Sequence, residues 1–296
     1  MTQKVEISVI IPNLHSPIVD KTIESVLGQE SDVPFEVIVV GMDKYGLVDR
    51  FQEEVKFIKT QKPVPPGAAR NLGAASAVGE FLLFIDSDCI ASPCWIKNHY
   101  SLQQESRKPI IVGGGVDFPN QNYFTLADNV SSFHEFMMHN KLGKKKILPS
   151  LNMSLSRTVW DSIGGFNHNP AGEDTDFSLR ALADGINLVF NPTYFVYHLP
   201  SRRKLRDLFQ HAFIFGLYSI KANRKYWEVL YVPLLLRYNI LTILFSPLLA
   251  FGVIFQMVIV EKLPLRYWHT LPMVFLIKII WCFGFARQLR KKEEHD

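Results

Sequence analysis

The chain has 296 residues, of which 48% are hydrophobic and 12% aromatic, and its formal net charge is +4. This apolar content can offset the entropy lost on ordering, which excludes a mainly disordered chain, and the length suffices for one large domain or two smaller ones. The three cysteines are too few for a disulfide framework and lack the partner residues of a zinc site.

The charge is unevenly divided along the chain. Residues 1–200 carry a net charge of −5, whereas residues 201–296 carry +9 and are also the more apolar part. A basic, apolar segment favours an anionic membrane surface over nucleic acid as its partner. Residues 1–6 contain no apolar signal core, so the first domain is expected in the cytosol. We predict a domain over residues 1–200, an amphipathic linker over 201–228, and membrane-associated helices with a basic cytosolic tail over 229–296.

Short apolar runs alternate with helical patterns in the first 90 residues. The predicted strands cover residues 5–11, 35–40, 55–59 and 81–85, and the predicted helices cover 18–29 and 67–78. This alternation predicts an α/β fold in which a mostly parallel, Rossmann-like sheet is covered by helices on both faces.

Polar side chains stand at the carboxyl ends of three of these strands. Asn13 and Asp43 follow the first and second strands, and Asp86 and Asp88 follow the fourth. Ligands of parallel sheets collect at these strand ends, so the sequence predicts one polar rim built from these residues.

The second half of this domain is less regular. A strand is predicted at residues 110–112, followed by three glycines that suit a bend or a close backbone approach to a ligand, and a basic loop is predicted at 141–146. Helices are predicted at 157–163, ended by a pair of glycines, and at 174–184, closed by Gly185 at a C-cap position.

The segment Asp86-Ser87-Asp88 is the first candidate for chemistry. Carboxylates two residues apart on a strand point to the same side, and a hard divalent cation that also binds substrate phosphates relieves their repulsion. The alternative is a loop pair that caps the helix near Pro93, and the three-residue motif alone is a weak signal. Its position after an apolar strand on the sheet rim favours the metal site.

Two further segments carry charged side chains beside glycine or proline loops. Glu173 and Asp174 open the helix at 174–184, where they either complement the helix dipole or place one carboxylate at the rim as a general base. Arg70 and Asn71 open an earlier helix, where they either cap it at the surface or direct a cation and an amide at a nucleotide. The residues alone leave both alternatives open.

Residues 205–220 repeat apolar side chains on one helical face and are preceded or opened by four basic residues. This pattern suits an amphipathic helix lying on anionic lipid, and equally a helix packed against its own domain.

Two long apolar runs follow. Residues 239–260 carry no charge and reach the ~20 residues of a membrane span, and residues 270–286 form a second run interrupted by Lys278. Basic residues flank the pair at Lys221, Arg224, Lys225, Arg287, Arg290, Lys291 and Lys292. The positive-inside tendency then predicts a C-terminal α-helical membrane hairpin with both ends in the cytosol. Prolines at 247, 264 and 272 leave open an in-plane or re-entrant pair that never crosses.

Four segments are informative because of their order and spacing along the chain. They are VEISVIIPN from residue 5, GAARNLGAASAVGEFLLFIDSDC from residue 67, NMSLSRTVWDSIGGF from residue 152 and GEDTDFSLRALADG from residue 172. Together they resemble the family 2 glycosyltransferases over residues 5–200. The resemblance implies the GT-A fold, inverting transfer from a nucleotide-sugar donor, and a divalent cation, Mg²⁺ or Mn²⁺, as cofactor.

The resemblance also implies a nucleotide side of the site. Pro12 and Asn13 would lie at the nucleotide-binding first loop, and Arg70 would help to hold the base. Relatives usually carry two acidic residues directly after the second strand, the first of which reads the base, whereas this chain has Gly41-Met42-Asp43. Asp43 is therefore the candidate substitute, and the sequence does not select one base.

The metal and the reaction centre are implied in the same way. Asp86 and Asp88 match the D-x-D pair: Asp88 would contact the metal, and Asp86, counted with the metal ligands, would face the ribose or sugar. His198 stands where some relatives place a further metal or diphosphate ligand, an ordinary strand-end histidine being the alternative. Asp174 would be the catalytic base, with Glu173 beside it orienting the acceptor.

The sequence therefore predicts a metal-dependent, inverting glycosyltransferase that acts at a membrane on a glycan or lipid-linked acceptor. The chain has no Q-x-x-R-W motif, which argues against a processive synthase. A sugar nucleotidyltransferase would need a glycine-rich, basic signature near the first strand, and IIPNLHSP has none. A catalytically impaired membrane partner that keeps the fold is the other alternative, favoured by the altered residues 41–43.

Overall fold

The computed structural model describes residues 4–119, 121–219 and 226–293, with side chains as far as residue 290. The chain divides into two compact units, the first comprising Met1–Pro119 and Lys141–Pro200 and the second comprising Asn120–Asn140 and Ser201–Asp296. The sequence gives no sign that residues 120–140 group with the C-terminal part. The predicted basic flank at Lys221, Arg224 and Lys225 lies outside the described residues, as do the side chains of Lys291 and Lys292.

One nine-stranded sheet forms the centre of the first unit. Its strands are β1 Ile7–Leu14, β2 Phe35–Met42, β3 Val55–Lys59, β4 Phe81–Ile85, β5 Cys89–Ala91, β6 Ile110–Asp117, β7 Gly143–Lys144, β8 Asn152–Ser156 and β9 Asn187–His198. They lie in the order β3-β2-β1-β4-β8-β6-β9-β5, and β7 pairs with β9. Strands β3, β2, β1 and β4 run parallel, whereas β8 is antiparallel to both β4 and β6. The predicted mostly parallel α/β class is confirmed.

The four strands predicted in the first 90 residues all form. Strands β1, β2 and β4 are short apolar runs that are mostly buried in the sheet, whereas β3 lies at its edge and buries only Val55. Strand β4, FLLFI, is buried at every position. Strand β1 continues through Pro12, beyond its predicted end. The proline does not disrupt the sheet, since β4 pairs with β1 only as far as Ile10 and Pro12 faces β2 alone.

Five helices belong to this unit: α1 Val19–Leu27, α2 Pro66–Ser76, α3 Trp95–Glu105, α5 Arg157–Ile163 and α6 Glu173–Ala183. Helix α5 has the predicted bounds, and Gly164 ends it in a left-handed conformation with φ +83°. The glycines after the predicted strand at 110–112 lie inside β6. A side chain at Gly114 would collide with the carbonyl oxygen of Tyr194, so the close approach is to the backbone of β9.

The second unit is helical in its described residues. Its α-helices are α4 Tyr123–Phe133, α7 Leu205–Leu217, α8 Asn239–Leu244, α9 Ser246–Phe255 and α10 Leu271–Glu293. A π-helical turn, Gln256–Val260, continues α9. Among the described residues, the segment Leu265–Arg290 is the one helix long and apolar enough to cross a membrane.

The run at residues 239–260, predicted as one membrane span, is divided into shorter pieces. Helix α8 ends at Leu244, α9 begins at Ser246 with Pro247 in its first turn, and the last five residues are π-helical. Proline cannot donate a backbone hydrogen bond, which accounts for the break. The predicted pair of spanning helices is thus reduced to one helix of spanning length.

The packing of helix α7 decides between the two alternatives for residues 205–220, which were a helix lying on lipid and a helix packed against its own domain. Its buried residues Leu208, Ala212 and Gly216 lie on the predicted apolar face, and this face packs against α10. The helix is therefore packed within its own unit, and the expectation that this face lies on lipid is not what the structure shows.

Candidate active site

The ends of β1 and β2 are tied together by Asn13. The buried side chain donates from Nδ2 to the carbonyl oxygen of Met42 at 3.1 Å and accepts at Oδ1 from the backbone N–H of Ser16 at 3.0 Å. Pro12, one residue earlier, is half-buried and stands opposite Val40 in the parallel ladder. The first loop is thereby fixed against the end of β2, on the predicted rim.

Asp43 follows β2 on the same rim, but its carboxylate accepts hydrogen bonds from the backbone of its own loop. Oδ1 accepts from the backbone N–H of Tyr45 at 3.0 Å, and Oδ2 accepts from that of Val48 at 2.8 Å. Gly41, just before it, has φ +132°, and a side chain there would collide with the carbonyl of Asn13. The close approach of the ends of β1 and β2 therefore explains why this chain has glycine within residues 41–43.

Ser16 is a site residue that sequence reasoning missed. Its Oγ donates to the carbonyl oxygen of Ser87, the middle residue of the D-x-D segment, at 2.7 Å. This bond joins the first loop to the end of β4, 71 residues away in sequence. A serine after Asn13 carries no recognisable signal by itself, so only the structure could reveal it.

Arg70 connects the two acidic clusters. Its Nη2 forms a short ion pair with Oδ1 of Asp86, and its Nη1 donates to Oε1 of Glu173 at 2.8 Å. The side chain is only 2% exposed. Burial alone would lower the pKa of Arg70, but the neighbouring carboxylates raise it above its usual value, so the guanidinium stays charged. Both terminal nitrogens are thus engaged by carboxylates, and the expected role of Arg70 in holding the base stays a prediction.

Glu173 and Asp174 lie in the first turn of α6, where the helix dipole favours acidic side chains. Glu173 is buried against Arg70, and Asp174 is half-buried, with Oδ1 accepting from the N–H of Thr175 at 2.7 Å. Burial and the adjacent Glu173 raise the pKa of Asp174 to about 7, which Arg70 only partly opposes. A carboxyl group with such a pKa exchanges a proton readily near neutral pH.

Asp88 lies beside His198. Strand β5 pairs with β9 so that Cys89 stands opposite His198, and Nε2 of His198 is 3.6 Å from Oδ1 of Asp88. One ligand atom from each of these three residues lies within 4.8 Å of the others. Burial, reinforced by the nearby carboxylates, raises the pKa of the Cys89 thiol, so it stays protonated. A carboxylate oxygen and an imidazole nitrogen remain as donors. The carboxylate fits Mg²⁺ or Mn²⁺, whereas the imidazole is less suited to Mg²⁺, which prefers oxygen ligands.

Asn71 and Arg180 hold the loop that precedes α6. Asn71 donates to the carbonyl of Phe166 at 2.8 Å and accepts from its N–H at 2.9 Å. Arg180 donates to the carbonyls of Ile163 and Gly165 at 2.5 and 2.6 Å. Asn71 therefore holds backbone rather than a nucleotide, and Arg180 is a supporting residue that the sequence did not single out.

Residues 8–164 match the family described as glycosyl transferase family 2. Because that match covers more than half of the chain, the chain belongs to glycosyl transferase family 2.

Curated relatives are similar to parts of the chain. Glycosyltransferase AglE of Haloferax volcanii is 31% identical over 124 residues, which cover 42% of this chain and 40% of that protein. The glucosyl-dolichyl phosphate glucuronosyltransferase of the same organism is 26% identical over 167 residues, or 50% of this chain and 51% of that protein. The alignments thus span about half or less of these two relatives.

Solved structures share the fold over nearly the whole chain. The mannosyltransferase PcManGT of Pyrobaculum calidifontis, in complex with GDP-Man and Mn²⁺, has a TM-score of 0.64 at 16% identity, covering 98% of this chain and 89% of its own. S. aureus TarS residues 1–349, in complex with UDP-GlcNAc, has a TM-score of 0.52 at 16% identity, covering 98% and 92%. The predicted GT-A fold class is confirmed, with a long apolar helix at the C-terminal side.

Proposed function

We propose that the protein transfers a sugar, with inversion, from a nucleotide-sugar donor to a hydroxyl group of a glycan or lipid-linked acceptor at a membrane. The proposed cofactor is a divalent cation, Mg²⁺ or Mn²⁺. Two structural neighbours support the donor class, since one binds GDP-Man with Mn²⁺ and the other binds UDP-GlcNAc.

The contact of Arg70 with both acidic clusters is the observation that supports this proposal most. One guanidinium reaches Asp86, at the end of β4, and Glu173, at the start of α6. These residues are 87 positions apart in sequence, and they belong to the two motifs expected at opposite sides of the reacting carbon.

Asp174 is the proposed catalytic base. An acceptor hydroxyl has a high pKa and needs a base near the anomeric carbon, where Asp174 would take the proton late in an in-line displacement. Its pKa of about 7 matches this task, because a base is most effective when its pKa is close to the working pH. Such a base contributes roughly 10²–10⁴-fold to the rate. Glu173, held by Arg70, would orient the acceptor.

Asp88 and His198 are the proposed metal ligands, with Asp86 beside them facing the ribose or sugar. A bound divalent cation would stabilise the negative charge that develops on the leaving nucleoside diphosphate. Pro12, Asn13 and Asp43 would line the nucleotide, where the first loop and the β2 end are already joined by hydrogen bonds.

The membrane and the lipid-linked acceptor rest on the second unit and on one relative. The chain has a helix of spanning length, and residues 201–296 carry +9. The relative named glucosyl-dolichyl phosphate glucuronosyltransferase indicates, by its name, a lipid-linked substrate. We propose a location at the cell's inner membrane with the first unit in the cytosol.

The base assignment is tested with Asp174→Asn and a control, Asp184→Asn, at the exposed end of the same helix. We expect Asp174→Asn to lose roughly 10³-fold or more in sugar transfer while still binding donor with Mn²⁺, and the control to retain full transfer. Full activity of Asp174→Asn would remove the proposed base.

The donor side is tested by thermal stabilisation with a panel of nucleotide-sugars, with and without Mn²⁺. A bound donor raises the melting temperature by mass action. We expect one nucleotide-sugar to raise the melting temperature of the wild type, and to do so only in the presence of metal. The same nucleotide-sugar should not raise the melting temperature of Asp88→Asn. No stabilisation by any donor would favour the non-catalytic membrane partner. Pyrophosphate release from a nucleoside triphosphate would favour the nucleotidyltransferase.

A further inference from the structure

Helices α8 and α9 expose large apolar side chains along one continuous stripe. The stripe residues recur every three or four positions through α8, α9 and the π-helical turn. They are Ile240, Leu244, Leu248, Phe251, Phe255 and Ile259, each between 55% and 72% exposed. A soluble helix would turn such side chains inwards, so this stripe requires an apolar covering.

The opposite face of the same helices carries small and polar side chains. Thr242, Ser246 and Ala250 are at most 3% exposed. The hydroxyl of Thr242 donates to the carbonyls of Leu235 and Tyr238, so it is buried without loss of hydrogen bonding. Helices that face lipid on their outer side typically carry small residues on the buried face and large apolar residues on the exposed face.

Helix α10 lies behind this stripe, and helices α4 and α7 cover its other side. Gly284 of α10 lies so close to α7 that a side chain there would collide with the carbonyl of Phe213. Lys278 of α10 donates to the carbonyl of Ser131, at the end of α4, at 2.7 Å. Helix α4 also carries the buried, ion-paired Asp128. Helix α10 is thus packed against α4 and α7 within the second unit rather than surrounded by lipid on all sides.

Basic and aromatic side chains stand at both ends of the stripe. Tyr238, 53% exposed, precedes it next to Arg237, and Trp268, 44% exposed, follows it with Lys262 and Arg266. Tyrosine and tryptophan favour the membrane–water interface, and basic side chains favour anionic headgroups there. The stripe, residues 240–259, thus lies between two ends that suit the membrane–water interface.

We propose that the second unit is embedded in one leaflet of a membrane through this stripe, so that neither apolar run crosses the bilayer. The proposal rests on the membrane location of the proposed function and replaces the spanning hairpin with a one-sided insertion. The occupant of the stripe is the acyl region of the lipid. A second copy of the chain would carry the same basic side chains to the stripe ends, whereas anionic headgroups complement them.

The first test asks on which side of the membrane the turn after the stripe lies. In a Cys94→Ser background, where Cys89 and Cys282 are buried, single cysteines are introduced as Lys262→Cys in the turn and Glu53→Cys in an exposed loop of the first unit. Sealed inverted vesicles from expressing bacterial cells are treated with a membrane-impermeant maleimide. We expect both sites to be labelled to the same extent before lysis. Labelling of Lys262→Cys only after lysis would establish a spanning hairpin and overturn the proposal.

The second test removes the apolar stripe. The double variant Leu248→Asp/Phe251→Asp is compared with Leu142→Asp, which changes an equally exposed leucine (63%) in the first unit. Full-length protein is floated with sealed vesicles of phosphatidylcholine and phosphatidylglycerol. We expect the bound fraction to fall at least about tenfold for the stripe variant only. Unchanged flotation, or a soluble dimer of the wild type that does not float, would contradict lipid as the occupant.

Donor-dependent thermal stabilisation is measured on the same preparations. Normal labelling and flotation with no donor response would refute the proposed function and leave the one-leaflet insertion standing. A normal donor response with a spanning topology would refute only the insertion.

Discussion

In each unit the surroundings shift the pKa of one aspartate, but the two shifts have opposite directions. In the first unit, Asp174 lies beside another carboxylate, and its pKa is raised to about 7 because burial and Glu173 outweigh Arg70. In the second unit, Asp128 is 1% exposed, and burial would raise its pKa too. His211 at 3.0 Å and Arg202 at 2.6 Å outweigh that effect and lower the pKa to about 2.

The opposite pKa shifts distinguish a carboxyl group that can exchange a proton near neutral pH, Asp174, from one that stabilises the fold, Asp128. Asp128 has two cationic or hydrogen-bonding partners to itself, so it stays ionised and fixes the segment after residue 200 to α4. In the first unit a single buried arginine, Arg70, forms ion pairs with both Asp86 and Glu173. Its attraction for Asp174 only partly offsets the effects that raise the pKa of Asp174. The first unit thus leaves one carboxylate poorly compensated, which keeps its pKa near neutral.

Removing Arg70 should give the largest effect. Arg70→Met leaves the buried Glu173 and the half-buried Asp86 without their cation, so we expect transfer to fall below detection and the free energy of unfolding to fall by about 3 kcal/mol. The matched control is Arg50→Met, because Arg50 also bridges two carboxylates, Asp20 and Glu24, but at the surface. That change should cost about 1 kcal/mol or less. Urea unfolding followed by tryptophan fluorescence measures both.

A combined variant sharpens the interpretation of Arg70. If the loss comes from unpaired charge, Arg70→Met/Glu173→Gln should recover part of the stability of Arg70→Met while remaining inactive. Equal stability of the two variants would contradict the charge-bridging role.

Asp128→Asn should have the next largest effect. Neutralising one partner of a buried ion pair leaves Arg202 poorly compensated, and we expect a loss of about 3 kcal/mol in the free energy of unfolding. Asp161→Asn, on the exposed side of α5, is the control and should be nearly neutral. The folded pKa lies below the ordinary 3.8, so the stabilisation from Asp128 is present above about pH 4 and is lost as the pH falls towards 2. Acid unfolding of the wild type and Asp128→Asn should therefore converge over that range.

Gly284→Ala tests the packing of α10 on α7. The added methyl group would collide with the carbonyl of Phe213, so the helices must separate, at a cost of about 2 kcal/mol. Gly252→Ala in α9 is the control, since nothing lies within 4 Å of the added atom and alanine favours helix. We expect a lower melting temperature for the first variant and an equal or higher one for the second. Equal shifts would mean that the α7–α10 contact is not tight.

The sequence predicts most of the sheet because each of its early strands is a local apolar run. The first-unit strands β1 to β4 and the helix α5 need no information beyond their own residues. The grouping of residues 120–140 with the C-terminal unit could not be predicted, since it depends on long-range pairs such as Asp128 with His211. The break after Leu244 was suggested by Pro247, but the lack of charge at residues 239–260 favoured one span.

The sequence names candidate site residues but not the contacts between them. The motifs single out Asp86, Glu173 and Arg70 as candidates, but an arginine in a helix-opening segment gives no indication that it bridges two carboxylates. Ser16 and Arg180 were missed because they act through backbone carbonyls, and any sequence can supply those. Contacts of this kind follow from the path of the chain rather than from residue type.

The smallest effect expected is on the pH dependence of transfer, and it compares Asp174 with Asp128 directly. If Asp174 is the base, only its ionised form is active, so kcat/KM should fall roughly tenfold for each pH unit below about 7. Glu173 repels that charge, and Glu173→Gln should shift the acidic limb to lower pH, whereas Asp128→Asn should leave it in place. Rates measured with a saturating metal concentration at each pH decide the matter. A limb that stays fixed in Glu173→Gln would mean that the group titrating in the wild type is not Asp174.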